Sequence, residues 1–200
     1  DPSPGQPQQA VRAIPGIGTQ VPIWLLGSSL YSAQLAAHLG LPFAFASHFA
    51  PDLLLQALHV YREGFRPSAD WPQPHAMVGV NVVCADTDDE AAFHFTSIQQ
   101  RFLGMQRGQR GPLPRPIELA LLESMWSPQE KFNVQRMLAA SACGSPASVR
   151  QQLASIVEQT AADELIVAGA VHDHAARLRS YELLAGAVET PSLPTSRAGS

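Results

Sequence analysis

The hydrophobic pattern of this chain switches repeatedly between short apolar runs and longer stretches of helical period. Val21 to Leu26 (VPIWLL) is an apolar run too short for a helix and bounded by Gly27, which predicts a strand buried on both faces. After Gly27-Ser28-Ser29, the residues Ala33, Leu35, Ala36 and Leu39 fall on one helical face, and Gly40 supplies a stop. Leu41 to Ala46 is a second strand, with Pro42 tolerable only at its first positions. Strand, turn, helix and strand within about 30 residues make a βαβ unit.

The same alternation continues downstream. Pro51 to Gly64 places Leu53, Leu54, Ala57, Leu58 and Tyr61 at helical spacing, and the valine-rich Met77 to Ala85 reads as a third buried strand. Thr87-Asp88-Asp89-Glu90 is a capping box opening a helix to about Leu103. Ser127-Pro128-Gln129-Glu130 is a second one, with proline at the first helical position, opening a helix to about Ala140. Ser145-Pro146 starts a helix that turns Val149, Leu153, Ile156 and Val157 to one side. Asp163 to Gly169 is a fourth strand, and His174 to Val188 a closing helix with Leu178, Tyr181, Leu184 and Ala185 inward. Four strands, each followed by a helix, define an α/β protein with a parallel sheet. Periodicity leaves two architectures open: half of an eightfold barrel, whose full form needs about 250 residues, or a small open doubly wound sheet.

Composition sets the boundaries. Residues 1–20 are rich in Pro, Gly and Gln without a period and read as a linker or loop. Residues 21–188 form the domain, with a flexible Gly/Pro/Gln-rich insertion near 104–127, and residues 189–200 read as a disordered tail. The chain begins with Asp rather than Met, which is expected of a processed chain or a piece of a longer one. Two hundred residues at 46% hydrophobic content suffice for one substantial core. One lysine and twelve scattered arginines give no basic stripe, so nucleic acid is an unsuitable partner. No uninterrupted apolar run of about 20 residues and no signal-peptide pattern is present, so no membrane association is expected. Cys84 and Cys143 lack CxxC spacing and read as reduced, buried thiols of a cytoplasmic protein.

The chemistry-bearing stretch is the turn at Gly27, Ser28, Ser29 and Ser32. A strand ends there and a helix begins, so free N–H groups and the positive end of the helix dipole attract an anion, to which the hydroxyls add neutral donors. Serine is equally a favoured N-cap, and the plain cap remains an alternative, since no GxGxxG or P-loop pattern accompanies it. His48 ends the second strand, where barrel enzymes place their sites; it is a candidate for lining a pocket or donating a proton, or else a structural histidine. Asn81 lies inside the valine-rich strand and its amide needs buried partners, so it either points into an interior site or belongs to a structural network. The His172-Asp173-His174 cluster lacks further ligands at zinc-like spacing, and Asp173 reads as a helix cap rather than part of a metal site. Cys84 has no activating partner in sequence, and no GxSxG elbow is present.

Taken in order, LLGSSLYSAQLAAHLGLPFAFASHFAP, MVGVNVVCADTDDEA, GSPASVRQQL and TADELIV…DHAARLRSYELLA resemble the luciferase-like flavin-dependent monooxygenases, particularly the alkanal-monooxygenase-like members with one type of chain. The similarity runs from about Pro15 to Val188. It implies a TIM barrel of which this chain is the C-terminal half, about four βα units. It also implies use of reduced FMN, commonly delivered by a separate flavin reductase, to oxygenate a small organic substrate with O₂; a deazaflavin is the alternative cofactor. The resemblance assigns Gly27, Ser28, Ser29 and Ser32 to the cofactor phosphate. An incomplete barrel leaves two open strand edges and an uncovered apolar interior, which favour homo-oligomers or association through those edges. A non-catalytic, phosphate-binding or self-associating half-barrel is the competing reading.

Overall fold

The computed structural model describes residues 14–16 and 18–189. The expected linker therefore falls largely outside the described residues (1–13 and 17), as does the expected tail from 190 to 200. The strands are β1 (Leu25–Gly27), β2 (Phe43–Phe45), β3 (Ala76–Cys84), β4 (Ser141–Gly144) and β5 (Glu164–Ala168), and every pairing is parallel. The helices are α1 (Leu30–Leu39), α2 (Leu54–Gly64, entered through a 3₁₀ turn at Pro51–Leu53), α3 (Asp88–Gln106), α4 (Leu119–Met125), α5 (Pro128–Met137), α6 (Pro146–Thr160) and α7 (His174–Glu189). The chain is an α/β half-barrel with a parallel sheet.

The organising strand is β3. Met77 and Val78 have partners in both β2 and β5, and Asn81 has partners in both β4 and β5. A strand has two edges, so β2 and β4 follow one another along one side of β3 while β5 takes the other. Among the described residues β1, β4 and β5 therefore have one neighbour each, with β1 and β5 at opposite sides of the sheet.

Alternation sorts the strand side chains onto two faces. Phe43, Phe45, Val78, Val80, Val82 and Ala142 are fully or almost fully buried against Ala33, Ala36, Ala57, Leu58, Tyr61, Val149 and Leu153 of the helices. Tyr61 ties this layer together: its hydroxyl lies 2.9 Å from the Leu41 carbonyl and accepts from the His75 N–H at 3.1 Å. The face turned away from the helices carries Leu26, Ala44, Met77, Gly79, Asn81, Ile166 and Ala168. There Leu26 is 66% exposed and Ile166 52%.

Several expectations need correction. The first strand is not buried on both faces: Val21, Ile23 and Leu26 are exposed, and only Leu25–Gly27 pair. The reason is its place at the sheet edge, with one neighbour and an uncovered inner face. A fifth strand, β4, was not expected, and the 104–127 segment is not without regular structure. There α3 runs on to Gln106, α4 occupies Leu119–Met125, and Leu122 and Trp126 join Ile98, Phe102, Leu103, Val134 and Leu138 in a second core. In α7 the inward positions are Ser180, Leu184 and Ala187, while Leu178, Tyr181 and Ala185 are exposed, so the helix is rotated from the expected face. Tyr181 is held by its hydroxyl, which accepts from the Gly169 N–H at 3.0 Å. Leu39 of α1 is exposed as well, its core face being made by Ser32, Ala33, Ala36 and Ala37.

Candidate functional site

Local rules place the Gly27–Ser32 turn at the C-terminal end of β1. Ser29 is the N-cap of α1: its hydroxyl accepts from the Ser32 N–H at 3.2 Å, and the Ser29 N–H donates to Ser32 Oγ at 3.3 Å, closing a capping box. The Ser32 hydroxyl donates to the Ser29 carbonyl at 2.7 Å, and Ser32 is 9% exposed. Gly27 is required by this arrangement, since a Cβ there would stand 2.2 Å from Ser32 Oγ. Thus Gly27 and Ser32 build the turn, and Ser28 and Ser29 are the hydroxyls left at its surface. The N–H groups of Leu30 and Tyr31, at the first two helical positions, have no intrahelical acceptor and point out of the same end. The donor set suits an anion. No lysine or arginine occurs between Arg12 and Arg62, so the turn itself offers an anion the helix dipole, N–H groups and hydroxyls.

His48 and Asn81 come together on the face turned away from the helices. Asn81 is 4% exposed, and its Nδ2 donates to the His48 carbonyl at 2.5 Å. The His48 ring lies over Gly79, stacked edge-on to Phe49 with 4.9 Å between ring centroids. Its Nδ1 is enclosed without a hydrogen-bond partner, and burial lowers its pKa from the usual histidine value. Ser47 braces the same loop by donating to the Gly79 carbonyl at 2.6 Å. Beside Asn81, in register on β4, Ser141 also holds an enclosed, unpartnered hydroxyl. Sequence reasoning passed over Ser141, because a serine in a run of small residues has no spacing signal of its own.

The remaining candidates have structural duties. Asp173 accepts from the Ala176 N–H at 2.8 Å, and that bond is the main reason its carboxyl titrates below the usual range. Among the described residues no group of three or more His, Cys, Asp or Glu is arranged to hold a metal ion. Cys84 is buried with its thiol pKa raised, and burial pushes the Cys143 thiol up to about 12, so neither is a ready nucleophile. No helix among the described residues is long and apolar enough to cross a membrane.

A parallel half-sheet whose strand ends carry an anion-suited turn and a histidine loop is the layout of one side of a barrel enzyme's mouth. The sequence pattern of the luciferase-like monooxygenase family matches residues 3–164, and the chain belongs to that family. It is 55% identical over 177 residues to a luciferase-like monooxygenase of Escherichia coli K12, covering 88% of this chain and 52% of that protein. It is 46% identical over 181 residues to the uncharacterized protein YvbT of Bacillus subtilis, covering 90% of this chain and 53% of that one. The chain thus spans about half the length of the curated relatives it matches. Among solved structures, apo-MsnO8 superposes with a TM-score of 0.78 at 36% identity, over 94% of this chain and 56% of the other. The long-chain alkane monooxygenase LadA shares the fold at 16% identity, with a TM-score of 0.54 over 82% of this chain and 40% of the other.

Proposed function

We propose that this chain supplies the phosphate-holding side of a reduced-FMN-dependent monooxygenase barrel that oxygenates a small organic substrate with O₂. The observation that carries the reading is the α1 N-terminus. It offers two helix N–H groups without intrahelical acceptors and two surface hydroxyls, Ser28 and Ser29, at the strand end where barrels bind their ligands. Ser32 and Gly27 hold that geometry from behind. The flavin, when bound, supplies the electrons and the site of O₂ activation. This chain's own residues bind the phosphate, fix the ring's position from one end and line part of the pocket with His48 and Asn81.

Family membership supports the monooxygenase class, and the phosphate-suited turn fits FMN. A separate flavin reductase would deliver the reduced cofactor. The test is isotope incorporation in a complete barrel containing this chain, given O₂ and either reduced FMN or a reduced deazaflavin. Label from ¹⁸O₂ in an organic product with FMN is expected. Hydride transfer with deazaflavin and no labelled product would overturn the reading.

A non-catalytic, self-associating half-barrel is favoured by one specific observation, the exposure of Leu26 and Ile166 on edge strands β1 and β5. It predicts a stable oligomer and no oxygenation in any assembly.

A further inference from the structure

We infer that His48 is held as a neutral, Nε2-protonated imidazole whose Nε2–H donates a hydrogen bond to a carbonyl oxygen of the ligand on the inner face of the half-barrel. The inference deepens the proposed function and rests on a ligand occupying that face.

The geometry fixes which nitrogen can do what. Nδ1 faces the sheet: a Cβ on Gly79 would stand 2.5 Å from it and 3.3 Å from Cε1, so the ring edge lies directly on the glycine backbone. Enclosed there, Nδ1 meets no donor and no acceptor. A proton on Nδ1 would be a buried donor with nothing to bond, which is costlier than an unused lone pair. The proton therefore belongs on Nε2, the ring nitrogen that is not enclosed. No charged group contributes to the shift of its pKa, and burial alone favours the neutral form.

The ring is held in place by its own backbone. Asn81 Nδ2 clamps the His48 carbonyl, and Ser47 Oγ ties the adjacent residue to Gly79. Phe49 stacks against the ring from the side. Across β3, Gly79 is in register with the exposed Ile166, and Asn81 with Ala168. The groups beside it on this face are apolar side chains and the uncharged Asn81 amide and Ser141 hydroxyl, and a neutral donor standing among them suits a carbonyl oxygen better than a charged group. Two sources present that chemistry: the carbonyls of a flavin ring and the carbonyl of an aliphatic aldehyde.

The experiment is ¹⁵N-histidine NMR of this chain at pH 7, alone and with riboflavin or a medium-chain aldehyde added separately. Riboflavin lacks the phosphate, so this measurement is independent of the α1 turn. The ligand-free spectrum should show His48 protonated at Nε2 and bare at Nδ1. A shift of the Nε2 signal with riboflavin assigns the ring carbonyl as the acceptor; a shift with aldehyde alone assigns the substrate. His48→Gln, which keeps a neutral N–H donor, should hold the active probe within about threefold, and His48→Leu should weaken it about tenfold or more. An Nδ1-protonated or charged ring, no response to either probe, or equal binding by the Leu variant would each overturn the inference. Loss of FMN's phosphate preference with the His48 response intact would instead sink only the phosphate reading.

Discussion

Gly79 lies so close beneath His48 that a Cβ at position 79 would stand 2.5 Å from the ring's Nδ1. The glycine is there for the histidine. Because the His48 carbonyl is bonded to Asn81 and the neighbouring Ser47 to the Gly79 carbonyl, the ring has no easy route of retreat. Gly79→Ala should destabilise the fold by about 1–3 kcal/mol, the cost of forcing extra volume into a packed contact. Chemical denaturation reads that cost, and the His48 ring signals should move in the same variant. An alanine variant as stable as the parent, with unmoved His48 signals, would contradict the contact.

The Tyr61 hydroxyl joins α2 to the entry of β3. It is fully buried and is the acceptor for the His75 N–H. Tyr61→Phe leaves that N–H and the Leu41 carbonyl without this partner. Stability should fall by about 1–3 kcal/mol in urea denaturation, with helix content unchanged before the transition.

Acid stability should depend on one carboxylate more than its neighbours. Arg107 donates to Glu130 at 2.7 and 3.1 Å, and Ser127 adds its N–H at 2.8 Å, holding the Glu130 carboxyl at about 2 against an ordinary 4.5. The folded chain therefore binds that proton more weakly than the unfolded chain. The contribution is fully present above about 4.5 and is lost as pH falls toward about 2. Arg107→Leu should flatten the pH dependence of stability across that window. An unchanged slope would show that the pair contributes nothing in solution.

The open edges predict association. Leu26 on β1 and Ile166 on β5 are exposed apolar residues on strands with one neighbour each. Sedimentation of the chain should show mass rising with concentration, and Ile166→Lys should shift the distribution toward monomer, since a charge at a strand edge opposes further pairing. A monomer at all concentrations would argue against association through these edges.

Much of the fold was legible because it follows from local rules. The strand–turn–helix order, the Ser127–Glu130 capping box and the stop at Gly40 each need only a few adjacent residues, and each is present in the structure. The elements that escaped depend on distant partners. Ser141–Gly144 is four residues of low strand propensity, and it is a strand only because β3 is long enough to extend past β2 and offer it an edge. The helix Leu119–Met125 exists by packing Leu122 under α3 and α5. The Thr87 cap is present, but Glu90 does not close the box: its carboxylate stands 3.9 Å from His94 instead. At the candidate site the sequence pointed to the serine turn and to His48 separately. It could not tell Ser32, which with Gly27 builds the turn, from Ser28 and Ser29, which face outward, because that division rests on the Ser29–Ser32 hydrogen bonds. Nor could it pair His48 with Gly79 or Asn81, whose approach is set by strand register.

The Ser29 hydroxyl has two separable duties. Ser29→Ala removes an N-cap and should cost about 1 kcal/mol of stability. In a complete barrel the same change should weaken FMN by about 1.5–3 kcal/mol through the lost hydrogen bond to a charged group. Thermal melts and FMN titrations read the two effects independently, and a stability loss with unchanged FMN affinity would leave Ser29 as a cap alone.

The most direct test of the phosphate-holding turn is the ratio of FMN to riboflavin affinity, measured by equilibrium titration of this chain. The two ligands differ only in the phosphate. Binding of FMN at least tenfold tighter than riboflavin, with inorganic phosphate competing and signals of Leu30 and Tyr31 moving, is the predicted result. Equal affinities, with the α1 signals unmoved, would contradict it and leave Ser29 and Ser32 as a helix cap and nothing more.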